Sequence, residues 1–467
     1  MNNNPFFKDF NQPFDTIPFN EYKTEDFLPA IHEGIKLSNR AIAKICDSDD
    51  VPSFENTILK LEVSHEELER VVGVYWHLFG AHSEGEFKKL AQDISTIISS
   101  HTNDYMLNEQ LFKRIEYIHS NKACIEYDEH DTKLIDDTFK SFIRNGASLS
   151  KDDKGKLRSI DEELSKLSPQ FSNNVLDAQN SFELWITDET DLDGLTDDAV
   201  NAAHEAAKAK GKEEEWLFTL QMPSYLPFMT FSKQRHLREQ LFKAYGGLCN
   251  GGKYDNSSIV KNIVKFKHKR AQLLGYKSHA DFVLERRMAK NIENVYDLLD
   301  NLYDYSYDAA KNELNEIKDF AFKIDGLNVD AFSQWDLMYY KEALKKEKYA
   351  FDSEELRPYF KAENVISGVF EVANRLYGLD FKKLDNIQTW HKEVDCFEVS
   401  NSDGSHVGIL YIDLFPRSTK RSGAWMNALL ENGLHKGKIR RPHVLFVASL
   451  TPSTSDKPSL LNYREVE

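Results

Sequence analysis

Two segments decide the fold class: Val394-Asp395-Cys396-Phe397-Glu398-Val399-Ser400 and His406-Val407-Gly408-Ile409-Leu410-Tyr411-Ile412-Asp413-Leu414. Both are rich in β-branched and aromatic residues, and Asn401-Ser402-Asp403-Gly404 between them is a turn sequence, so the pair reads as a β-hairpin. A third strand-like run, His443 to Ser449, follows a polar loop. Roughly the first 390 residues read differently, as helices. A mainly α chain that closes on a small antiparallel sheet near its C-terminus is an α+β arrangement.

The helical reading rests on spacing. Phe54, Ile58, Leu61, Leu68, Val72, Tyr75 and Phe79 recur at the interval of one helix face. Leu157, Ile160, Leu164, Leu167, Phe171 and Val175 repeat the pattern after Ser150, with Asp153 as its capping partner. Pro169 is expected to kink or interrupt that helix. Asn294 to Phe322 and Asp336 to Lys348 are further helices. One β excursion, about 182–220, interrupts them: Phe182 to Ile186 and Trp216 to Leu220 bracket an Ala-rich helical stretch, Asp198 to Lys210. Pro223 to Pro227 is expected to break the pattern that follows. No fixed-period repeat is present, which argues against a solenoid.

The chain has 467 residues, enough for two or more domains. With 59 basic against 76 acidic residues it lacks the concentrated basic face that nucleic-acid binding needs. Its one basic cluster, Lys436 to Arg441, reads as a solvated loop. Cys46, Cys124, Cys249 and Cys396 are widely spaced and form no CxxC pair, the usage of a reducing compartment. The opening MNNNPFFKDF has no basic and apolar leader pattern, and the longest apolar run, Val444 to Leu450, is too short to span a bilayer. The expectation is a cytoplasmic protein with neither a membrane nor a nucleic acid as partner.

Residue chemistry alone singles out no active site. HExxH, GxSxG, the phosphate-binding loop and GxGxxG are all missing from the sequence. His65 and Glu69 have the i, i+4 spacing of a ligand pair, but His65 falls in the apolar stripe and reads as a structural histidine. His32-Glu33 and His204-Glu205 read as surface pairs, and Asp128-Glu129-His130-Asp131 as a solvated loop or cap. The last residues, Leu461 to Glu467, look like the first turn of a helix: Asn462 is a good N-cap and Glu465 stands where a capping-box carboxylate belongs. Because one turn cannot offset the cost of helix nucleation, the expectation is that the chain is truncated there.

Several blocks together resemble the zinc metallopeptidase family of thimet oligopeptidase, neurolysin, oligopeptidase A and the bacterial peptidyl-dipeptidases. They are Arg270 to Tyr276 (RAQLLGY), Trp335 to Tyr340 (WDLMYY), Leu356 to Phe360 (LRPYF), Gly408 to Arg417 (GILYIDLFPR), Lys420 to Met426 (KRSGAWM), Arg441-Pro442, Leu450-Thr451-Pro452, and Pro458 to Leu461 with Glu465-Val466-Glu467. The opening Asn4 to Phe7 and Pro13 to Asp15 bring it nearest to the bacterial branch. The resemblance implies a neurolysin-like two-lobed helical fold around a cleft for short peptides. Residues 1–235 would form an N-terminal helical lobe, and 236–467 an incomplete catalytic domain.

In the family, the last block leads into an HExxH helix with two zinc-binding histidines and a glutamate that activates water. No residue here matches that helix, so the resemblance implies no catalytic residue and no metal ligand in this chain, zinc only in the full-length family member, and a chain inactive alone. It further implies short peptide substrates, a monomer, and Gly408 to Leu414 as an edge strand beside the zinc helix. Tyr411, Arg417, Gly423, Ala424 and Trp425 are the substrate-binding candidates on that reading. The alternative for Tyr411 and Trp425 is sheet packing, and for Arg417 a structural ion pair. A non-catalytic helical protein that binds peptides or a partner is the competing function.

Overall fold

In a computed structural model the chain is mainly helical with three small sheets among the described residues, which are 4–8, 10, 12–124, 126–435 and 437–467. Lys436 of the basic cluster and Met1 to Asn3 and Asp9 of the opening segment lie outside them. The chain forms two compact units. One comprises Met1–Asn173, Asn256–Ile292 and Asn386–His391; the other comprises Asn174–Asp255, Glu293–Asp385 and Lys392–Glu467. The units therefore interleave along the sequence, where a single cut near residue 235 had been expected. Hydrophobic spacing marks which face of a helix is covered, but not which helices share a core.

In the first unit the expected stripe is the core. Phe54, Ile58, Leu61, Leu68, Tyr75 and Phe79 are buried. The run is not one helix, however: a 3₁₀ turn at Val63–His65 precedes the helix Glu66–Ala81. The helix Lys151–Ser181 starts at the expected cap, where the Asp153 amide donates to Ser150 Oγ at 3.2 Å. It runs through Pro169 without interruption. Thirty other residues make up this helix, so the loss of one N–H donor is tolerated. The polar cluster at 128–131 is a cap: Asp128 Oδ1 accepts from the Asp131 amide at 2.7 Å and opens the helix Glu129–Arg144.

In the second unit strand β1 (Leu184–Ile186) pairs antiparallel with β2 (Trp216–Phe218), with Trp185 opposite Leu217. The intervening helix is Asp197–Lys208. The following segment corrects the expected break: Met222–Phe231 is a helix. Pro223 occupies its first turn, where the missing N–H would have no intrahelical partner anyway.

The larger sheet contains β3 (Leu379–Lys383), β4 (Asp395–Asn401), β5 (His406–Asp413), β6 (Trp425–Leu430) and β9 (His443–Val447), in the order β3-β4-β5-β9-β6. Between β6 and β9, β7 (Gly433–His435) and β8 (Lys438–Arg440) form a separate hairpin. The β4–β5 hairpin is as expected, turning at Gly404 with φ +81°. Two expectations change. The sheet is mixed, because β9 runs parallel to β5. And β5, expected at an edge, lies in the middle, between β4 and β9. A parallel pair requires a crossover, and here residues 414–442 carry the chain out through β6 and the small hairpin before β9 returns. At Gly408 an added Cβ would lie 2.7 Å from the Pro442 carbonyl oxygen, so only glycine lets the incoming end of β9 approach β5 this closely.

Candidate functional site

Ile412 and Leu414 lie on one face of the sheet and pack with Ile366 and Phe370 of the helix Ala362–Tyr377. Tyr411 and Asp413 alternate to the opposite face, as the pleat requires. The pairing places Asp413 opposite Val447 of β9, and Val447 opposite Trp425 of β6. Asp413 and Trp425 therefore share a face two strand spacings apart, about 10 Å.

Asp413 is fully buried and held by two cations. Arg417 donates from Nη1 to Oδ1 at 2.9 Å and from Nη2 to Oδ2 at 2.5 Å. Lys420 Nζ donates to Oδ1 at 2.8 Å and to the carbonyls of Asp413 and Phe415, both at 2.9 Å. Burial by itself would raise the Asp413 carboxyl, but Arg417 and Lys420 together hold it below its usual range. Burial pushes the Lys420 ammonium down to about 8. This cluster fixes the loop after β5. On the far side of the loop, Gln179 Nε2 donates to Ser422 Oγ at 2.8 Å and Asn180 Nδ2 to the Ser418 carbonyl at 2.7 Å. Gly423, with φ +113°, then turns the chain into β6.

β6 is one edge of the sheet, with β3 at the other. It pairs with β9 alone among the described strands, and its other flank carries the backbone donors and acceptors that an extended peptide pairs with. Gly423 and Ala424 are exposed, Trp425 is half-buried, and Met426 is exposed.

The five candidates thus separate. Gly423, Ala424 and Trp425 stand together at the mouth of the edge strand. Arg417 sits one loop away, bound to Asp413. Tyr411 is completely buried beside Cys396, and burial pushes its phenol well above the usual value. Sequence reasoning missed the edge position of β6, Asp413 and Lys420 as a buried pair, and the tethers from Gln179 and Asn180. A charged pair seven residues apart at a strand end was the available signal for Asp413 and Lys420; no local signal marks the other two.

The capping box at 462–465 is present. Asn462 Oδ1 accepts from the Glu465 amide at 3.0 Å, and Glu465 Oε2 accepts from the Asn462 amide at 2.9 Å. The Glu465 carboxylate also reaches the Thr451 amide at 2.6 Å and ties the segment to the chain just past β9. Elsewhere, His65 Nδ1 is 2.8 Å from Ser38 Oγ. Burial, and to a lesser degree the neighbouring His101, pushes His65 down to about 4. His204 Nε2 is 2.8 Å from the Glu213 carbonyl oxygen. Among the described residues no three His, Cys, Asp or Glu side chains converge to hold a metal ion. They do not fit a zinc centre. No described helix is long and apolar enough to cross a membrane.

Residues 228–467 match the model of "Peptidase family M3". Oligopeptidase A of Haemophilus influenzae is 31% identical over 455 residues, covering 96% of this chain and 66% of its own. The organellar oligopeptidase A of Arabidopsis thaliana, chloroplastic or mitochondrial, is 30% identical over 479 residues, covering 100% of this chain and 60% of its own. A dipeptidyl carboxypeptidase of Salmonella typhimurium is 30% identical over 469 residues, covering 100% of this chain and 68% of its own. The chain spans about two thirds of the length of these curated relatives. With similarity along essentially the whole chain and the family model matching just over half of it, the chain belongs to peptidase family M3.

Proposed function

We propose that this chain provides the peptide-binding scaffold of a zinc-dependent M3 peptidase that hydrolyses short peptides. The observation that carries the reading is the bare flank of β6 in a chain whose relatives are named oligopeptidases and a dipeptidyl carboxypeptidase. An extended peptide adds to that flank through its backbone, which gives affinity without demanding one sequence. The small, exposed Gly423 and Ala424 admit the peptide backbone, and the Trp425 indole supplies apolar surface beside it. Arg417 and Lys420 act as positioning residues, holding Asp413 and through it the loop that delivers Gly423. Tyr411 packs inside the sheet on β5, which β9 separates from β6. The reading includes that the 467-residue chain alone, a monomer, binds peptides without cleaving them. That part rests on the donor set, in which no three metal-binding side chains come together among the described residues.

The test is hydrogen exchange of the chain with and without a saturating fluorogenic octapeptide, with hydrolysis followed in the same samples under added zinc. We expect slowed exchange across 424–430, about tenfold weaker binding by Trp425→Ala, and no cleavage. Peptide binding that leaves 424–430 unprotected would remove the edge-strand reading. Zinc-dependent cleavage would overturn only the non-hydrolytic part.

A further inference from the structure

The basic cluster that reads as a solvated loop in the sequence is folded: Lys438 to Arg440 form β8 and pair with β7. Leu434 stands opposite Ile439, and His435 opposite Lys438. This hairpin prolongs the ribbon of β6 and β9. Leu430 of β6 faces His443 of β9, and after two residues on each side Gly433 of β7 faces Arg440 of β8. Arg440 Nε donates to the Glu431 carbonyl at 2.9 Å and bridges the break. The register thus carries through, with β7 following β6 and β8 leading into β9. Among the described strands β7 pairs with β8 alone, as β6 pairs with β9 alone. The unpaired flank of β6 therefore continues along β7, and an extended chain of about eleven residues spans 425–435.

The two faces of the hairpin differ. Leu434 and Ile439 form a directly opposed pair on one face, 72% and 70% exposed. Their neighbours alternate to the other face, where His435 and Lys438 stand together. Charge sets this segment apart from the rest of the molecule. Residues 414–442 hold seven Lys or Arg against one acidic residue, Glu431, in a chain of net charge −17. Arg417 and Lys420 are taken up by Asp413, whereas Lys438 and Arg441 are exposed. A basic strand edge on an acidic protein attracts an acidic ligand and repels a basic one. The negative charge of the whole chain opposes adsorption to an anionic membrane.

We propose that the β7–β8 hairpin is a selectivity element for peptides held on β6: it takes the acidic portion of a peptide long enough to pass Leu430. The proposal rests on the edge-strand reading above and adds a substrate class to it, peptides with Asp or Glu clustered toward one end. A peptide strand on the flank of β7 lies two strand spacings, about 10 Å, from the Lys438 backbone. The four-carbon lysine stem and a Glu side chain together cover that span. Arg441 adds its charge at the break. On the other face, apolar side chains of the peptide meet Leu434 and Ile439. A peptide that stops short of Gly433, or one without Asp or Glu, gains nothing from the hairpin.

The probes are twelve-residue peptides with one common central sequence, carrying three Asp, three Ser or three Lys at one end or at the other, added to the intact 467-residue chain. In one of the two placements the Asp peptide should bind about tenfold tighter than its Ser counterpart, and the Lys peptide more weakly. That Asp peptide should slow hydrogen exchange at 433–440 as well as at 424–430. Its advantage should shrink severalfold as salt rises from about 50 to about 300 mM. Lys438→Glu with Arg441→Glu should remove or reverse the preference, and Lys438→Arg with Arg441→Lys should keep it. The proposal is overturned if peptides slow exchange at 424–430 and none does so at 433–440, an outcome that leaves the edge-strand reading standing. It is also overturned if the charge reversal weakens Asp and Ser peptides alike. Peptides that bind and slow neither segment would remove both readings. Protection of 433–440 by phosphatidylserine vesicles, or in the chain alone as its concentration rises, would overturn it in favour of a membrane or a second copy.

Discussion

Lys420 Nζ lies 2.8 Å from Asp413 Oδ1, and neither side chain reaches solvent. This pair converts a strand end into a fixed point. A buried carboxylate with two cations is stable only as a set, and the loop from Phe415 to Ser422 is drawn around it. The direction in which the chain enters β6 therefore depends on a contact that touches no substrate.

Breaking the set should cost more than its exposed neighbours suggest. Lys420→Met leaves Asp413 buried with Arg417 as its remaining cation, and should lower stability by about 3 kcal/mol. Urea unfolding followed by tryptophan fluorescence measures this. A loss below about 0.5 kcal/mol would mean that Asp413 is solvated in solution.

Glycine at 408 is a steric requirement. Gly408→Ala would bring a methyl group to 2.7 Å from the Pro442 carbonyl oxygen and 3.1 Å from the Pro442 ring. The expected cost is about 2 kcal/mol, with faster exchange at the Ile409 amide, which donates to Pro442 at 2.9 Å. Unchanged exchange at Ile409 would contradict the close approach of β5 and β9.

Glu465→Ala removes the reciprocal cap and the tie to Thr451 together. The loss should be local, about 1–2 kcal/mol. It should appear as faster exchange over 459–467 with little change in the sheet. Glu465→Gln should recover part of it, because the amide oxygen still accepts from a backbone N–H.

His65 makes the first unit acid-sensitive. Its folded value of about 4 lies below its ordinary 6.5, so between those values the unfolded chain binds more protons than the folded one. Its contribution is fully present above pH 6.5 and declines as the pH falls toward 4, by of the order of 2 kcal/mol given its partial exposure. His65→Leu should flatten the stability profile in that window, as read by circular dichroism during an acid titration. An unchanged slope would assign the transition to other groups, His101 foremost, whose burial also lowers it.

The β4–β5 hairpin, the cap at Ser150 and the capping box at Asn462 were legible because each is a local device, complete within a few residues. The course of the helix through Pro169 and the helical start at Pro223 were not. Proline's local preference is weak beside the packing of a long helix or a first-turn position. At the candidate site the sequence pointed to Gly423, Ala424 and Trp425 but had no means of showing that they lead into the edge strand.

By itself, then, the sequence determined the helical character of the chain, the strand runs near its end, and the ordered blocks that place it in family M3. Only the tertiary structure decided that β5 is interior and β6 lies at an edge, that Asp413 is buried against Lys420, and that the long helix Ile292–Asp325 is exposed along an acidic, apolar flank. Local spacing sets what an element is. Which elements become neighbours is settled by pairings between residues far apart in the chain, and β5 with β9 is one of them.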